Sequence, residues 1–267
     1  MDVNDAELAA RFEFAKHCAR QAGQLTLRYF QKSIDVERKA DATPVTLADR
    51  ETEQLLRRLI SADFPNDAVL GEEFGETAGS SGFRWIVDPI DGTKSFICGV
   101  PLYGTLVGIE HRGEAVAGVI EIPALAESVA AARGGGSWYQ SGDQTPVPAK
   151  VASAGSLGEG LFVTTQRDSF DQRGAGTVFT ELESRAGITR SWGDCYGYLL
   201  VATGRALLMV DPVVSVWDAA ALQPIIEEAG GVFTDWYGKP TIHSGDSLAT
   251  TQELIGEIIE ITRPFCH

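Results

Sequence analysis

Cysteine is scarce and scattered in this 267-residue chain. Cys18, Cys98, Cys195 and Cys266 never form a C-x-x-C pair, which excludes a zinc knuckle and a dithiol redox motif. The four histidines show no H-x-x-x-H spacing, a second argument against zinc. Positive charge is short as well: 22 Lys and Arg stand against 37 Asp and Glu, a net charge of −15. Such a surface repels nucleic acid and anionic membranes, so neither is an expected partner. No apolar run approaches the roughly 20 residues of a bilayer span. The polar, acidic start M-D-V-N-D-A-E-L lacks the apolar core of a secretory signal. The expectation is a soluble, cytoplasmic protein. No internal repeat or low-complexity tract is present.

What the chain does have is a dense acidic motif. From Trp85 it reads W-I-V-D-P-I-D-G-T-K-S-F. A buried strand at Trp85–Val87 would deliver Asp88 and Asp91 to its carboxyl end, and Gly92 and Thr93 would open a short helix whose free N–H groups face the same place. Two carboxylates facing a helix N-terminus can hold a hard cation beside an anion, the outline of a phosphate-plus-magnesium site. Asp-Pro and Asp-Gly are also ordinary turn dipeptides, so the motif alone leaves a plain turn open. The charge balance favours metal over an arginine clamp, because an acidic protein handling phosphate needs cations to neutralise both parties.

Periodicity sets out the rest. Residues 5–30 have helical spacing, with Leu8, Phe12, Ala15, Ala19, Ala22 and Leu25 on one face. A polar segment, 36–45, follows, and Thr46 with Asp49 starts a second helix running to about Ile60. Alternating runs at 103–110, 115–122 and 127–132 predict a meander. Pro146, Pro148 and 155–160 read as a loose boundary. Beyond it the rhythm is α/β: strand 161–165, helix about 170–186, strand, helix 196–203, strand 207–210, helix 216–229, strand and final helix. The whole chain, 1–267, is expected to form one compact domain, with an α+β part over about 1–148 and an α/β part over about 149–267.

Two further acidic segments stand out. Gly71-Glu72-Glu73 ends a short apolar strand, and its acids are either functional or merely solvated. Asp218, in Trp217-Asp218-Ala219-Ala220, lies near a helix start, where a carboxylate is also an ordinary cap.

Taken together, G-E-E, then D-P-I-D-G-T, then W-D-x-A-A followed by Gly230-Gly231 resembles the inositol monophosphatase family of lithium-sensitive, magnesium-dependent phosphatases. The resemblance spans nearly the whole chain. It implies a layered α-β-α-β-α sandwich of the sugar-phosphatase type and a phosphoric monoester hydrolase that works by metal-activated water attack. It implies two to three Mg²⁺ ions per site: Glu72, Asp88 and the Ile90 carbonyl on the first, Asp88, Asp91 and Asp218 on the second, and a third near Glu72. Glu72 and Thr93 would act on the nucleophile, with Asp49 as an outer acid. Asp91 and the amides of Gly92 and Thr93 would receive the phosphate. A homodimer is usual in the family, and the loop at Lys39 is a candidate mobile lid.

After D-G-T the chain continues Lys94-Ser95-Phe96-Ile97, and later reads S-W-G-D-C-Y-G-Y from Ser191. Both stretches look like the histidinol-phosphate phosphatase branch, which implies a role in histidine biosynthesis. Its substrate carries an ammonium and an imidazole, so Asp194, Asp211 and Trp192 are the expected pocket residues. Asp194 as a helix cap and Trp192 as core remain open alternatives. So do an inositol or sugar-phosphate phosphatase using the same metals, a 3′-phosphoadenosine phosphatase, which lacks a basic patch here, and a non-catalytic binding protein.

Overall fold

The computed structural model describes residues 5–32, 36–38 and 44–265, so Lys39, the expected lid residue, lies outside the described residues. The order begins α1 (Asp5–Thr26), β1 (Val36–Arg38), β2 (Pro44–Thr46), α2 (Leu47–Asp63), β3 (Ala68–Gly71), β4 (Gly75–Thr77), β5 (Phe83–Asp91) and α3 (Thr93–Ile97). It continues β6 (Gly104–His111), β7 (Glu114–Ile122), β8 (Glu127–Ala132), β9 (Ser137–Ser141) and β10 (Val147–Pro148). The second half runs β11 (Leu161–Val163), α4 (Arg167–Gln172), α5 (Gly176–Arg185), β12 (Ile188–Arg190), α6 (Asp194–Ala202), β13 (Leu208–Asp211), α7 (Val216–Ala219), α8 (Leu222–Glu228), β14 (Val232–Thr234), β15 (Ser247–Thr250) and α9 (Ile255–Thr262).

Eight strands form one sheet in the order β10-β9-β8-β7-β6-β5-β3-β4, antiparallel except for β3 beside β5. Five form a second, mixed sheet, β12-β11-β13-β15-β14. The buried clusters show how the layers stack. Leu8, Ala15, Ala19, Leu56 and Ile60 of α1 and α2 pack on Trp85, Val107 and Val119 of the large sheet. Its other face, with Ile86, Leu106 and Ile120, meets Leu199, Leu222 and Ile225 of the central helices, which also cover Met209, Phe233 and Ala249 of the small sheet. Phe162, Leu208 and Leu248 then face Phe170, Leu182 and Ile258 of α4, α5 and α9. This is the expected five-layer α-β-α-β-α sandwich.

Differences from the sequence reading have local causes. The helix expected over 170–186 is two, because Gly174 takes φ +74° and turns the chain after α4. The helix expected over 216–229 breaks at Ala220–Ala221, where Pro224 has no N–H to give the Ala220 carbonyl. Pro148, expected in a loose boundary, pairs with Trp138 at the sheet edge, a position that tolerates proline. Six strands, β1, β2, β4, β9, β10 and β15, were not anticipated.

Two contacts position everything that follows. Gly108 and Gly118 are cross-strand partners on β6 and β7. A Cβ at Gly118 would lie 2.0 Å from the Ala221 carbonyl oxygen, and one at Gly108 would lie 2.7 Å from the Ala220 Cβ. The α7–α8 junction therefore seats directly on sheet backbone. On the opposite face, Asp67 accepts from Arg11 Nε at 2.7 Å, Trp85 Nε1 at 2.9 Å and Ser81 Oγ at 2.6 Å, locking α1 to the strand that carries the acidic motif.

Burial alone would raise the Asp67 carboxyl, but the hydrogen bonds from Arg11, Ser81 and Trp85 outweigh it and hold the group below its ordinary range. A depressed acid contributes stability above its unfolded pKa and loses it as pH falls. Asp67→Asn is expected to cost about 3 kcal/mol near neutrality, because Arg11 is left without its partner. The gap from wild type should close as pH drops below about 4, as measured by urea denaturation at stepped pH. Gly118→Ala should cost about 1–3 kcal/mol in the same assay by forcing α8 off the sheet.

Candidate active site

The site forms where the carboxyl end of β5 meets the first turns of α3, α6 and α7. β5 does not stop at Val87 but runs on to Asp91, with a register shift against β6 between Asp88 and Asp91. Asp88 and Asp91 keep their ladder partners, Leu106 and Gly104, while the intervening Pro89 and Ile90 have none, so the strand bends between the two acids. Asp88 is 2% exposed, and its Oδ1 accepts the Ile90 N–H at 3.0 Å. Gly92 follows with φ +83°, a left-handed cap for α3, and a Cβ there would lie 3.0 Å from Asp194 Oδ2. Backbone angle and crowding both require glycine. The Thr93 hydroxyl donates to the Ile90 carbonyl at 3.1 Å, which leaves its own oxygen able to accept.

Asp218 arrives from the far half of the chain. Ser215 caps α7 and Asp218, at its third position, accepts the Ser215 N–H at 2.7 Å, a reciprocal capping box. Asp218 therefore caps α7 and also lies beside the acids of β5. Oxygens of Asp88, Asp91 and Asp218 all lie within 4.8 Å of one another. No ion pair joins any of the three to a lysine or arginine among the described residues.

Electrostatics follow from that geometry. Burial pushes Asp88 well above the usual carboxylate range, and Glu72, Asp91 and Asp218 push it further, with Asp218 accepting a hydrogen bond from its protonated form. Asp91 is raised by burial and then by Asp194 and Asp218, against the Cys195 N–H that donates to its Oδ2 at 2.5 Å. Asp218 is raised by burial to about 7, and Asp194, by burial and by Asp211, also to about 7. Glu72 lies close enough to raise Asp88, Asp218 and Asp49, although it is not one of the three acids that converge. Asp49 is buried and accepts from both the Thr46 N–H at 2.8 Å and the Thr46 hydroxyl at 2.6 Å, closing the α2 capping box.

The expected pocket residues divide. Asp194 is the first residue of α6, with φ +52°, and its carboxylate lies over Gly92. Asp211 is buried under the scaffold instead: it accepts from the Thr165 N–H and hydroxyl, each at 3.0 Å, and from the Tyr198 hydroxyl at 3.3 Å. Thr165 Oγ1 in turn accepts the Asp194 N–H at 2.9 Å, so Asp211 supports Asp194 from behind. Trp192 is not core; it is 43% exposed, with the Arg190 guanidinium 5.9 Å from its ring centre. Sequence reasoning missed Thr165, Tyr198 and the Cys195 amide, whose roles depend on long-range contact. It also missed Gln166, which accepts from Lys94 Nζ at 2.8 Å.

A protein-family model described as the inositol monophosphatase family matches residues 7–264. The chain is 43% identical over 245 residues to the histidinol-phosphatase of Chlorobaculum parvum, covering 91% of this chain and 93% of that protein. It is 37% identical to the histidinol-phosphatase of Mycobacterium tuberculosis, over 90% and 93% of the two chains. The extragenic suppressor protein suhB of Bartonella henselae superposes with a TM-score of 0.87 at 26% identity, covering 95% of this chain and 98% of that one.

A raised acid stabilises the fold below its unfolded pKa and loses that contribution as pH rises through the folded value. For Asp218 the window runs from its ordinary 3.8 to about 7. Asp218→Asn, which keeps an oxygen for the Ser215 N–H, should therefore stabilise the metal-free protein at pH 8 by roughly 1–3 kcal/mol. Urea titration with excess chelator measures it, and a loss of stability there would show that the acids do not strain the fold.

Proposed function

This chain belongs to the inositol monophosphatase family and is a phosphoric monoester hydrolase, and we propose that its substrate is L-histidinol phosphate, hydrolysed to L-histidinol and phosphate with Mg²⁺. The observation that carries the reading is the set of three carboxylates, Asp88, Asp91 and Asp218, gathered within 4.8 Å without a cationic partner. Hard oxygen donors in that number suit Mg²⁺, and burial of uncompensated acids is costly unless a cation joins them. Glu72, Asp88 and the Ile90 carbonyl would hold one ion and Asp88, Asp91 and Asp218 a second, with Glu72 available to a third. Bound Mg²⁺ supplies positive charge to the phosphate and leaving-group oxygens and eases deprotonation of a water.

The chain's own groups do the rest. Glu72 would take the proton of the attacking water, and the Thr93 hydroxyl, already turned by its bond to Ile90, would orient that water. Asp49 caps the start of α2 and feels the charge of Glu72. The N–H groups of Gly92 and Thr93, next to Asp91, would receive the phosphate oxygens.

Substrate choice rests on Asp194 and its neighbours. Its carboxylate over Gly92 lies beside the phosphate turn, where an ammonium one short chain from the phosphate would reach it. Lys94, held on Gln166, flanks the same turn. Trp192 offers an exposed aromatic face to an imidazole. An inositol phosphate remains the second reading, because Asp194 would also accept hydroxyl donors. The proposal carries with it a cytoplasmic homodimer serving histidine biosynthesis; light scattering giving a monomer mass would remove the dimer.

With Mg²⁺ present, turnover of histidinol phosphate should exceed that of inositol 1-phosphate by at least about tenfold in kcat/KM, about 1.4 kcal/mol of transition-state binding. Equal values would favour the second reading. Asp91→Asn should abolish turnover, and near-normal kcat at saturating Mg²⁺ would remove Asp91 from the metal set. Millimolar Mg²⁺ should raise the melting temperature of the wild type and not that of the variant.

A further inference from the structure

Glu53 is a charged side chain with 0% exposure and no place in the mechanism above. It lies on α2 four residues after Asp49 and four before Arg57, so the three share one helix face. Its Oε2 accepts the Glu73 N–H at 2.6 Å, and its Oε1 accepts the Phe74 N–H at 3.2 Å and Arg57 Nε at 2.7 Å. Arg57 continues the grip across the same hairpin, donating to the Gly75 carbonyl and to Thr77 Oγ1 at 3.2 Å. A Cβ at Gly71 would lie 2.2 Å from Glu53 Oε1, so the carboxylate occupies the space a side chain there would need.

These contacts enclose Glu72. The residues on both sides of it are held: Gly71 against the Glu53 carboxylate, and Glu73 and Phe74 through their amides. A β3–β4 turn without such an anchor would be a surface loop, free to swing its acids into solvent. We infer that Glu53 is a positioning residue for the reaction, which fixes the Gly71–Phe74 turn on α2 and thereby sets the distance between the Glu72 carboxylate and the Asp88 cluster. Burying a full charge to hold two peptide N–H groups is a costly way to close a hairpin. Arg57 offsets that cost, and the pair yields a turn whose placement is set by helix α2 instead of by solvent. The inference rests on the proposed role of Glu72, and its test separates the two.

The variants are Glu53→Gln, which keeps shape and loses the charge; Gly71→Ala, which displaces the carboxylate with Glu53 intact; and Arg57→Lys, half-buried and the mildest. Terbium(III) luminescence, excited through the protein's aromatic residues, reads ion binding without substrate, and histidinol phosphate hydrolysis gives kcat and KM. For Glu53→Gln and Gly71→Ala we expect terbium affinity and kcat to fall by roughly 10–100-fold, the range for groups that orient a metal ligand. KM should stay within about threefold, and the Mg²⁺ concentration for half-maximal rate should rise. Arg57→Lys should move the same quantities in the same direction by less. Unchanged terbium affinity and kcat in folded Glu53→Gln, with only a lower melting temperature, would reduce Glu53 to a structural acid. If the first two variants do not fold, Arg57→Lys decides alone, and unchanged ion binding in it overturns the inference. A wild type that binds terbium but hydrolyses no monoester would refute the functional reading and leave the positioning claim to the binding data.

Discussion

The contact between the Ala221 carbonyl and the backbone of Gly118 governs the geometry of the whole site. β6 and β7 present a pair of facing glycines, and the break between α7 and α8 fits the notch they leave. Helix-on-sheet packing normally keeps a side-chain layer between the two; here backbone approaches backbone. Asp218 lies three residues before Ala221, so the depth of that notch sets how far the acid reaches toward Asp88. The proline that interrupts the helix is part of the same device.

Once the acids are gathered, electrostatics works against the fold. Burial and mutual repulsion raise Asp88, Asp91, Asp194 and Asp218 together. The protein offsets part of this with backbone N–H groups, from Ile90 to Asp88, from Cys195 to Asp91 and from Ser215 to Asp218. Each satisfies a lone pair and orients an oxygen, yet none brings a full positive charge. Arginines are used for structure elsewhere, at Asp67, Glu53 and Asp246. The charge the site lacks is therefore left to a ligand, in keeping with sites that trade stability for function.

Much of this was legible in the sequence where the cause is local. The acidic turn, the α2 capping box and the meander rest on spacings of a few residues, and Asp88 and Asp91 could be named from them; Asp218 read locally as a cap or first-turn acid and joined the acids only through the family resemblance. What stayed hidden depends on distant neighbours. Asp211 reads as a pocket acid until Thr165 and Tyr198 are seen to occupy it. Gly108 and Gly118 look like weak points in strands until Ala220 and Ala221 arrive from the other half of the chain. β15 is short and has a single large apolar residue, Leu248, so its pairing with β13 and β14 leaves little trace in pattern. Pro224 lies inside the helix read over 216–229, and the split follows from it by elementary stereochemistry.

The backbone at Asp194 carries the argument furthest toward selectivity. A non-glycine residue at φ +52° costs roughly 1–2 kcal/mol, and the surroundings over-determine it. Thr165 holds its N–H, Asp211 holds Thr165, and Tyr198 bonds both Asp211 and Ser247. The next amide, Cys195, is committed to Asp91. The strain therefore places one carboxylate over Gly92 while its neighbour's N–H serves the acid cluster. Discrimination between an ammonium and a hydroxyl at such a point turns on charge and not on shape, because the carboxylate is fixed before any ligand arrives. A rigid acid raised to about 7 gains more from a cationic partner than from a neutral donor. On the proposed reading, that difference would select a charged amino alcohol phosphate over a polyol phosphate on an otherwise shared scaffold.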